Sequence, residues 1–560
     1  MNLTRREAFT ALATLAAAPA SAQEPAQGAA PDQASAPAAA PTVTAKGVVF
    51  EDLGLRGQRD AASAPVPGVM VSQGRDVAVT GADGSWSLPV REGDSVFVVK
   101  PSGWTTQVDP ETQLPRFAYV YAPNGSPRLN FRYAGLAPTG PLPESIDFAL
   151  RRRDEPAAFR ALLMNDPQPE SVEELGYVRD DVAARLAGVP GAAFGITLGD
   201  VMFDDLSLYP RHNRIVGTAG IPWHNLPGNH DMNLEAPDNA ASRETFKRVY
   251  GARHHAFQYG GATFVLLDNV DYLGGGKYQG RFGPEQLGFV RNLLAQVPAD
   301  GLVVFCFHIP LRTNLGTAPN TANTDTADFL AAISTHANTV SFSGHTHTNE
   351  YWYFGPGEGY APGLHRHHVL SAASGSWWSG PLDDRGIPAA LATDGAPNGF
   401  HLLQVGPGGY ATALVPAHEP SGSGMRIALD SQYHQAAPEV ARAVPVGALL
   451  RGPISRDATG STLVTVNLFD GGPRSQVEAR LANGPWRPMR RTIRKDPFVQ
   501  EVYARAGAAV KPWVRPGDST HLWEVPLPGG LAPGAYRLSV RAMDEYGRAY
   551  TDSMVLEVTG

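Results

Sequence analysis

Between residues 44 and 150, apolar and polar positions alternate in short runs. Gly68-Val69-Met70-Val71-Ser72, Asp76-Val77-Ala78-Val79-Thr80, Ser85-Trp86-Ser87-Leu88 and Ser95-Val96-Phe97-Val98-Val99 read as strands, with Ala82-Asp83-Gly84 as a turn. From 157 to 415 the rhythm changes. Apolar runs such as Ala161-Leu162-Leu163-Met164 and Phe264-Val265-Leu266-Leu267 predict buried strands. Helical patterns lie between them, as in Ser171 to Leu186 and Pro284 to Leu294. That alternation predicts a layered α/β domain. Short β runs return over residues 420–560, for example Ser461-Thr462-Leu463-Val464-Thr465-Val466 and Tyr536-Arg537-Leu538-Ser539-Val540-Arg541-Ala542. The chain is thus expected to be multidomain, with an α/β centre flanked by two all-β sandwich domains.

The first of these β stretches is similar to the small transthyretin- or carboxypeptidase-regulatory-type sandwich, and the last reads as an immunoglobulin or fibronectin type. Residues 23–43 are mostly Ala, Pro and Gln, a composition that reads as a disordered linker. Ahead of it, Arg5-Arg6 precedes the apolar stretch Ala11 to Ala18 and the small residues Ala20-Ser21-Ala22. Residues 1–22 therefore read as an export signal, similar to the twin-arginine type, and imply a periplasmic or extracellular protein. No apolar run is long enough to span a bilayer.

Composition adds three constraints. Sixty Gly and 48 Pro in 560 residues favour turn-rich β structure. The net charge is −8, and loss of residues 1–22 makes it one unit more negative, which argues against a long nucleic-acid partner. Cys306 is the single cysteine, so no intrachain disulfide can form, and its apolar neighbours make it a buried small side chain. No obligate protein partner is evident.

Metal-type side chains follow one another through the central region. They run Asp166-Pro167-Gln168, Gly199-Asp200, Gly228-Asn229-His230-Asp231, His308 and Gly344-His345-Thr346-His347. Each block follows an apolar run, so all can meet at one edge of a sheet. Carboxylates, amides and histidines in that order suit two adjacent divalent ions and hydrolysis at phosphorus.

The ordered set resembles the calcineurin-like metallophosphoesterases, whose blocks read Asp-x-His, Gly-Asp, Gly-Asn-His-Asp/Glu, a lone His and Gly-His-x-His. The resemblance covers residues 157–415 and implies an αββα-type layered domain. It implies that Asp166, Gln168, Asp200 and His347 hold a first metal and Asp200, Asn229, His308 and His345 a second, with Asp200 bridging. His230 then serves as general acid or phosphate contact, oriented by Asp231. Gln168 departs from the family's usual His and leaves the metal open among Mn, Fe, Zn, Mg and Ca. The flanking β stretches are similar to a bacterial three-domain subgroup, with support from Gly375-Ser376-Trp377-Trp378-Ser379-Gly380 and Asp394 to Phe400. Trp377, Trp378, Asp383, Asp384 and Arg385 are either a substrate-facing rim or a loop packing the C-terminal domain.

Other polar residues receive plainer expectations. His212, His336, His401, His418, His434 and His521 read as ordinary surface or core histidines, and His254-His255 as packing. His365, His367 and His368 read as a solvated face ahead of a third metal site. Asp204 and Asp205 read as loop carboxylates, while the role of Asp268-Asn269 stays open. The expected function is a metal-dependent phosphoric ester hydrolase in which a metal-bridged hydroxide attacks a phosphomonoester or phosphodiester. A small phosphate ester or envelope headgroup is the expected substrate, and a catalytically inactive envelope binding protein of the same fold is the rival.

Overall fold

The computed structural model describes residues 41–54, 56–418, 422–432 and 452–560. The export signal, the linker up to residue 40 and His434 lie outside the described residues.

Two sheets face each other at the centre. The first has the order Trp223–Leu226, Ala192–Leu198, Phe159–Met164, Gly399–Gly406, Gly409–Pro416. Its first three strands are parallel, and the last two are antiparallel additions. The second has the order His255–Tyr259, Ala262–Leu266, Val303–Cys306, Thr339–Ser343, His365–Val369, Glu350–Phe354. Its four inner strands are parallel and its two edges antiparallel.

The apolar runs predict this because both faces of a covered parallel strand are buried. Phe159, Leu163, Phe194 and Ile196 of the first sheet meet Phe257, Phe264, Val304 and Phe342 of the second. The outer face of the first sheet, with Leu162 and Met164, packs on Val178, Val182, Leu186 and Val216. The outer face of the second, with Val265 and Phe305, packs on Leu287, Val290, Leu293, Phe329 and Leu330. Helices therefore cover both outer faces. The helix expected over 171–186 begins under a Ser171 cap but is not uniform. It passes from an α turn, Val172–Tyr177, through a π segment, Val178–Ala183, to Ala184–Leu186.

On the N-terminal side, two four-stranded sheets pair Val43–Glu51 with Ser85–Val90 and Met70–Ser72 with Ser95–Val99. Their core runs on into the outer layer of the second central sheet, where Phe97 meets Phe289 edge-on at 5.8 Å. On the C-terminal side, a four-stranded and a five-stranded sheet share one core, with Ile427, Val466 and Trp523 against Val477, Leu538 and Leu556. Both sets of sheets reach the central layers.

Candidate metal centre

Parallel strands deliver their C-terminal ends to one edge, and every block of the sequence sits there. Asp166 follows Phe159–Met164, Asp200 follows Ala192–Leu198, Asn229 follows Trp223–Leu226, His308 follows Val303–Cys306 and His345 follows Thr339–Ser343. Hydrogen bonds tie each turn to the next. His345 N donates to Asp166 Oδ2 (3.0 Å), Gly344 N to the His308 carbonyl (2.9 Å), Gln168 N to the Asp200 carbonyl (3.2 Å) and His230 N to Asp200 Oδ1 (2.8 Å).

The turns are strained. Twelve non-glycine residues have positive φ among those described, and Asp166, Gln168, Asp200, His345 and His347 are five of them. L-residues avoid this region, so such outliers persist where the surroundings over-determine them, commonly at functional sites. Close approach also demands glycine: a Cβ on Gly228 would stand 2.1 Å from Asp200 Oδ1, and one on Gly344 would stand 1.6 Å from Asn165 Oδ1.

The side-chain atoms facing the middle include several without partners. Asp166 Oδ1, Gln168 Oε1 and His347 Nε2 are buried and make no hydrogen bond. Buried polar atoms are rarely left so, because each loses its water without recompense. These atoms belong to three of the four residues expected around a first ion. His347 Nε2 lies 3.6 Å from Asp166 Oδ1, and Gln168 Nε2 donates to Asp200 Oδ2 at 2.5 Å, which leaves its oxygen toward the centre. On the other side, Asp200, His308 and His345 bring ligand atoms within 4.8 Å of one another, and Asn229 Oδ1 is 3.2 Å from His308 Nε2.

Backbone acceptors fix the imidazoles for ligation. His308 Nδ1 donates to the Leu198 carbonyl (2.9 Å) and His347 Nδ1 to the Gly375 carbonyl (2.5 Å), so each presents Nε2 inward. His345 gives Nε2 to the Asn320 carbonyl (2.7 Å), which leaves Nδ1. Burial pushes His345 down to about 3 and His347 down to about 4, so both are neutral and can ligate. Burial opposes charge on His308 too, but the Asp200 and Asp166 carboxylates overcome it and raise His308 to about 9. Burial would also raise Asp200, yet His308 and His230 hold it well below the usual carboxylate range. The pocket thus favours positive charge at its centre, which a divalent ion supplies in place of a proton. The donor set fits divalent ions.

A model of the C-terminal part of calcineurin-like phosphoesterases matches residues 367–550, and a model of their N-terminal part matches residues 53–135. Both stretches are similar to calcineurin-like phosphoesterases, which supports the metallophosphoesterase superfamily for this chain. No curated protein matches it. Among solved structures it is similar to purple acid phosphatase PPD1 from yellow lupin (Lupinus luteus) seeds, at 13% identity and a TM-score of 0.33. The match covers 60% of this chain and 69% of that one. The two matches support a metal-dependent phosphoesterase at the family level, and that family implies divalent ions.

Within this candidate centre, two expectations need correcting. Asp231 does not orient His230. Its oxygens receive the amides of Val201, Met202 and Gly228 and the Tyr209 hydroxyl, so it braces the loops after two strands. The carboxylate on His230 belongs to Asp204, whose Oδ1 is 2.9 Å from Nδ1. A left-handed residue at Asp204 (φ 63°) folds that loop back toward His230, which its position in the sequence does not reveal. Phe203 completes the setting, stacked on the His230 ring at 4.3 Å.

The second correction concerns His365, His367 and His368, which are fully buried in strand His365–Val369 and do not form a solvated face. Their nitrogens bond Thr339, Ser341, Ser343 and Asn349, and burial pushes all three well below the ordinary histidine range. Asn269 gains a role: its side-chain oxygen accepts the amides of His308 and Ile309, fixing the turn that carries His308. Arg385 is tied to Asp181 and Asp383, which places it in the loop's own support. Trp378 donates to the Pro167 carbonyl (2.8 Å), while Trp377 lies flat on His347 at 3.9 Å. Among the described residues no helix is long and apolar enough to cross a membrane.

Proposed function

We propose that this protein is an exported calcineurin-like phosphoesterase that hydrolyses small phosphomonoesters or phosphodiesters at a two-ion centre. Its three modules are residues 44–150, 157–415 and 420–560, the outer two being β-sandwiches. The first ion would be held by Asp166, Gln168, Asp200 and His347, and the second by Asp200, Asn229, His308 and His345. The observation that carries this reading is the convergence of Asp166 Oδ1, Gln168 Oε1 and His347 Nε2, buried and without partners, beside the Asp200–His308–His345 group.

Divalent ions bound there supply a water of lowered pKa as nucleophile and neutralise the phosphoryl oxygens. The chain's own residues do the rest. His230 stands at the partly exposed side of the centre, where Nε2 can give a proton to the departing alkoxide while Asp204 holds Nδ1. Stacking on Phe203 keeps the ring in that orientation. Asp231 acts one step back, holding the loops that carry Asp200 and Asn229. The substrate is a small phosphate ester or an envelope headgroup and not a nucleic-acid polymer, in keeping with the net negative charge.

Nitrophenol release from mono- and bis(4-nitrophenyl) phosphate, with added Mn, tests the reading against Asp200→Asn. Wild type should exceed the variant by more than about a hundredfold, since losing the bridging carboxylate removes several kcal/mol of transition-state stabilisation. Equal background rates would leave a binding protein of this fold.

A further inference from the structure

Of the nine residues at the centre, seven are buried and only His230 and His345 are partly exposed. A substrate therefore approaches between these two rings, and the group that leaves beside His230 meets whatever lies outward of it. What lies there is aromatic and comes partly from the C-terminal module. Phe203 stacks on His230, and Trp513 lies beside Phe203 with its centroid 5.9 Å away and the planes 20° apart. Three flat rings thus run from the proposed acid toward solvent. Trp513 remains partly exposed at the outer end.

This arrangement is built into the fold. Lys511 N donates to Ser379 Oγ (3.1 Å), and Gly380 N donates to the Ala509 carbonyl (2.9 Å), which pins the 509–511 backbone to the loop beyond Trp378. Val514 is buried with Val499, Val502 and Tyr503, and both Trp377 and Trp513 pack on that cluster. Trp377 itself sits at φ 56°, a costly conformation for a bulky residue, with its ring on His347. Lys511 Nζ stands over both rings, 5.9 Å from the Phe203 centroid and 5.8 Å from that of Trp513, and is held by Glu174 Oε1 (2.7 Å) with Glu170 at 3.4 Å, so its charge is matched by carboxylates. The wall is therefore aromatic, with its adjacent cation paired to carboxylates, and does not form a second anion site.

Resting on the phosphoesterase reading of the same site, we propose that Trp513 and Phe203 form a subsite for the leaving group. It selects phosphoesters whose alcohol carries a planar ring, such as a nucleoside, over aliphatic ones. A ring laid along the aligned planes gains a stacking contact that an alkyl chain does not, and such contacts carry about tenfold or more in affinity. The C-terminal module is then a part of the substrate site, brought there from more than 280 residues beyond His230.

The test compares kcat/KM for adenosine 5′-phosphate and glycerol 3-phosphate, whose leaving groups are both primary alkoxides. Trp513→Ala should lower the nucleotide value about tenfold, mainly through KM, and leave glycerol phosphate within about twofold. Trp513→Phe should restore most of the loss, since it keeps a flat face and the packing around Val514. Equal changes on both substrates, or no change on either, overturn the proposal. If wild type hydrolyses neither of these esters nor bis(4-nitrophenyl) phosphate, the phosphoesterase reading fails, and in either case calorimetric binding of adenosine 5′-phosphate still reads the wall. Binding that weakens in Trp513→Ala and returns in Trp513→Phe supports it; binding indifferent to Trp513 overturns it.

Discussion

Among the described residues, two interior clusters bring histidine and aspartate ligand-type atoms together. One is the edge centre around Asp200. The other is His368, His401 and Asp470, all buried, with ligand-type atoms within 4.8 Å of one another. The side chains are of the same kinds, but their bonding differs. In the second cluster, His368 Nε2 donates to Asn349 Oδ1 (2.7 Å), and Asp470 receives Asn349 Nδ2, the Tyr351 hydroxyl and the Leu414 amide. His401 has no partner on either nitrogen and packs edge-on against the His368 ring. His368 and His401 sit in regular strands, and none of the three residues has positive φ. At the edge centre, by contrast, orphaned atoms from different turns face one another on left-handed backbone. Residue type alone does not separate a metal centre from a buried polar seam; convergence of unpaired atoms and backbone strain do.

The sharpest way to break this comparison is to substitute one histidine from each cluster. His347→Ala should lower kcat/KM by more than about a hundredfold, because it would remove a proposed ion ligand and with it several kcal/mol of transition-state stabilisation. His401→Leu should leave activity unchanged and stability equal or higher, since an apolar group replaces an unpartnered buried imidazole. Steady-state rates and thermal melts on both variants check this, and a His401 variant that loses activity would erase the distinction.

Next in size is His230→Ala, which should cost about 10²–10⁴-fold on an ester with a poor leaving group and much less on nitrophenyl phosphate. Equal losses on the two would make His230 a phosphate contact and not an acid.

The smallest effect concerns the seam. Burial raises Asp470 to about 6 despite its hydrogen bonds and Arg548. An acid whose folded pKa is raised binds more protons folded than unfolded, so its contribution to stability falls as pH rises from about 4 to 6. The slope is at most about 1.4 kcal/mol per pH unit. Denaturant melts of wild type minus Asp470→Asn across that window should show this slope, with activity at neutral pH retained. A flat difference would mean that Asp470 is ionised throughout.

Much of the centre was legible in the sequence because each block follows a strand whose two buried faces make an apolar run. Asp166, Gln168, Asp200, Asn229, His308, His345 and His347 therefore stood out in order and meet in space. Asp204 did not, because nothing in its place in the sequence shows that its loop, with positive φ at Asp204, lies beside His230. His365, His367 and His368 looked solvated, since a polar run in sequence does not show the facing hydroxyls of Thr339, Ser341 and Ser343 that let it be buried. Trp513 and Lys511 carry no local signal at all; their meaning comes from docking against Ser379 and Phe203. The helix over 171–186 was visible from its periodicity, but its π segment was not, since that needs only a local shift in hydrogen bonding.

Elemental analysis of the purified protein, after incubation with Mn and removal of free metal, tests the two-ion centre most directly. Wild type should retain about two divalent ions per chain and Asp200→Asn about one or none, because Asp200 is the residue proposed to serve both positions. A wild-type protein that retains none, or an Asp200→Asn variant that retains as many as wild type, would contradict it.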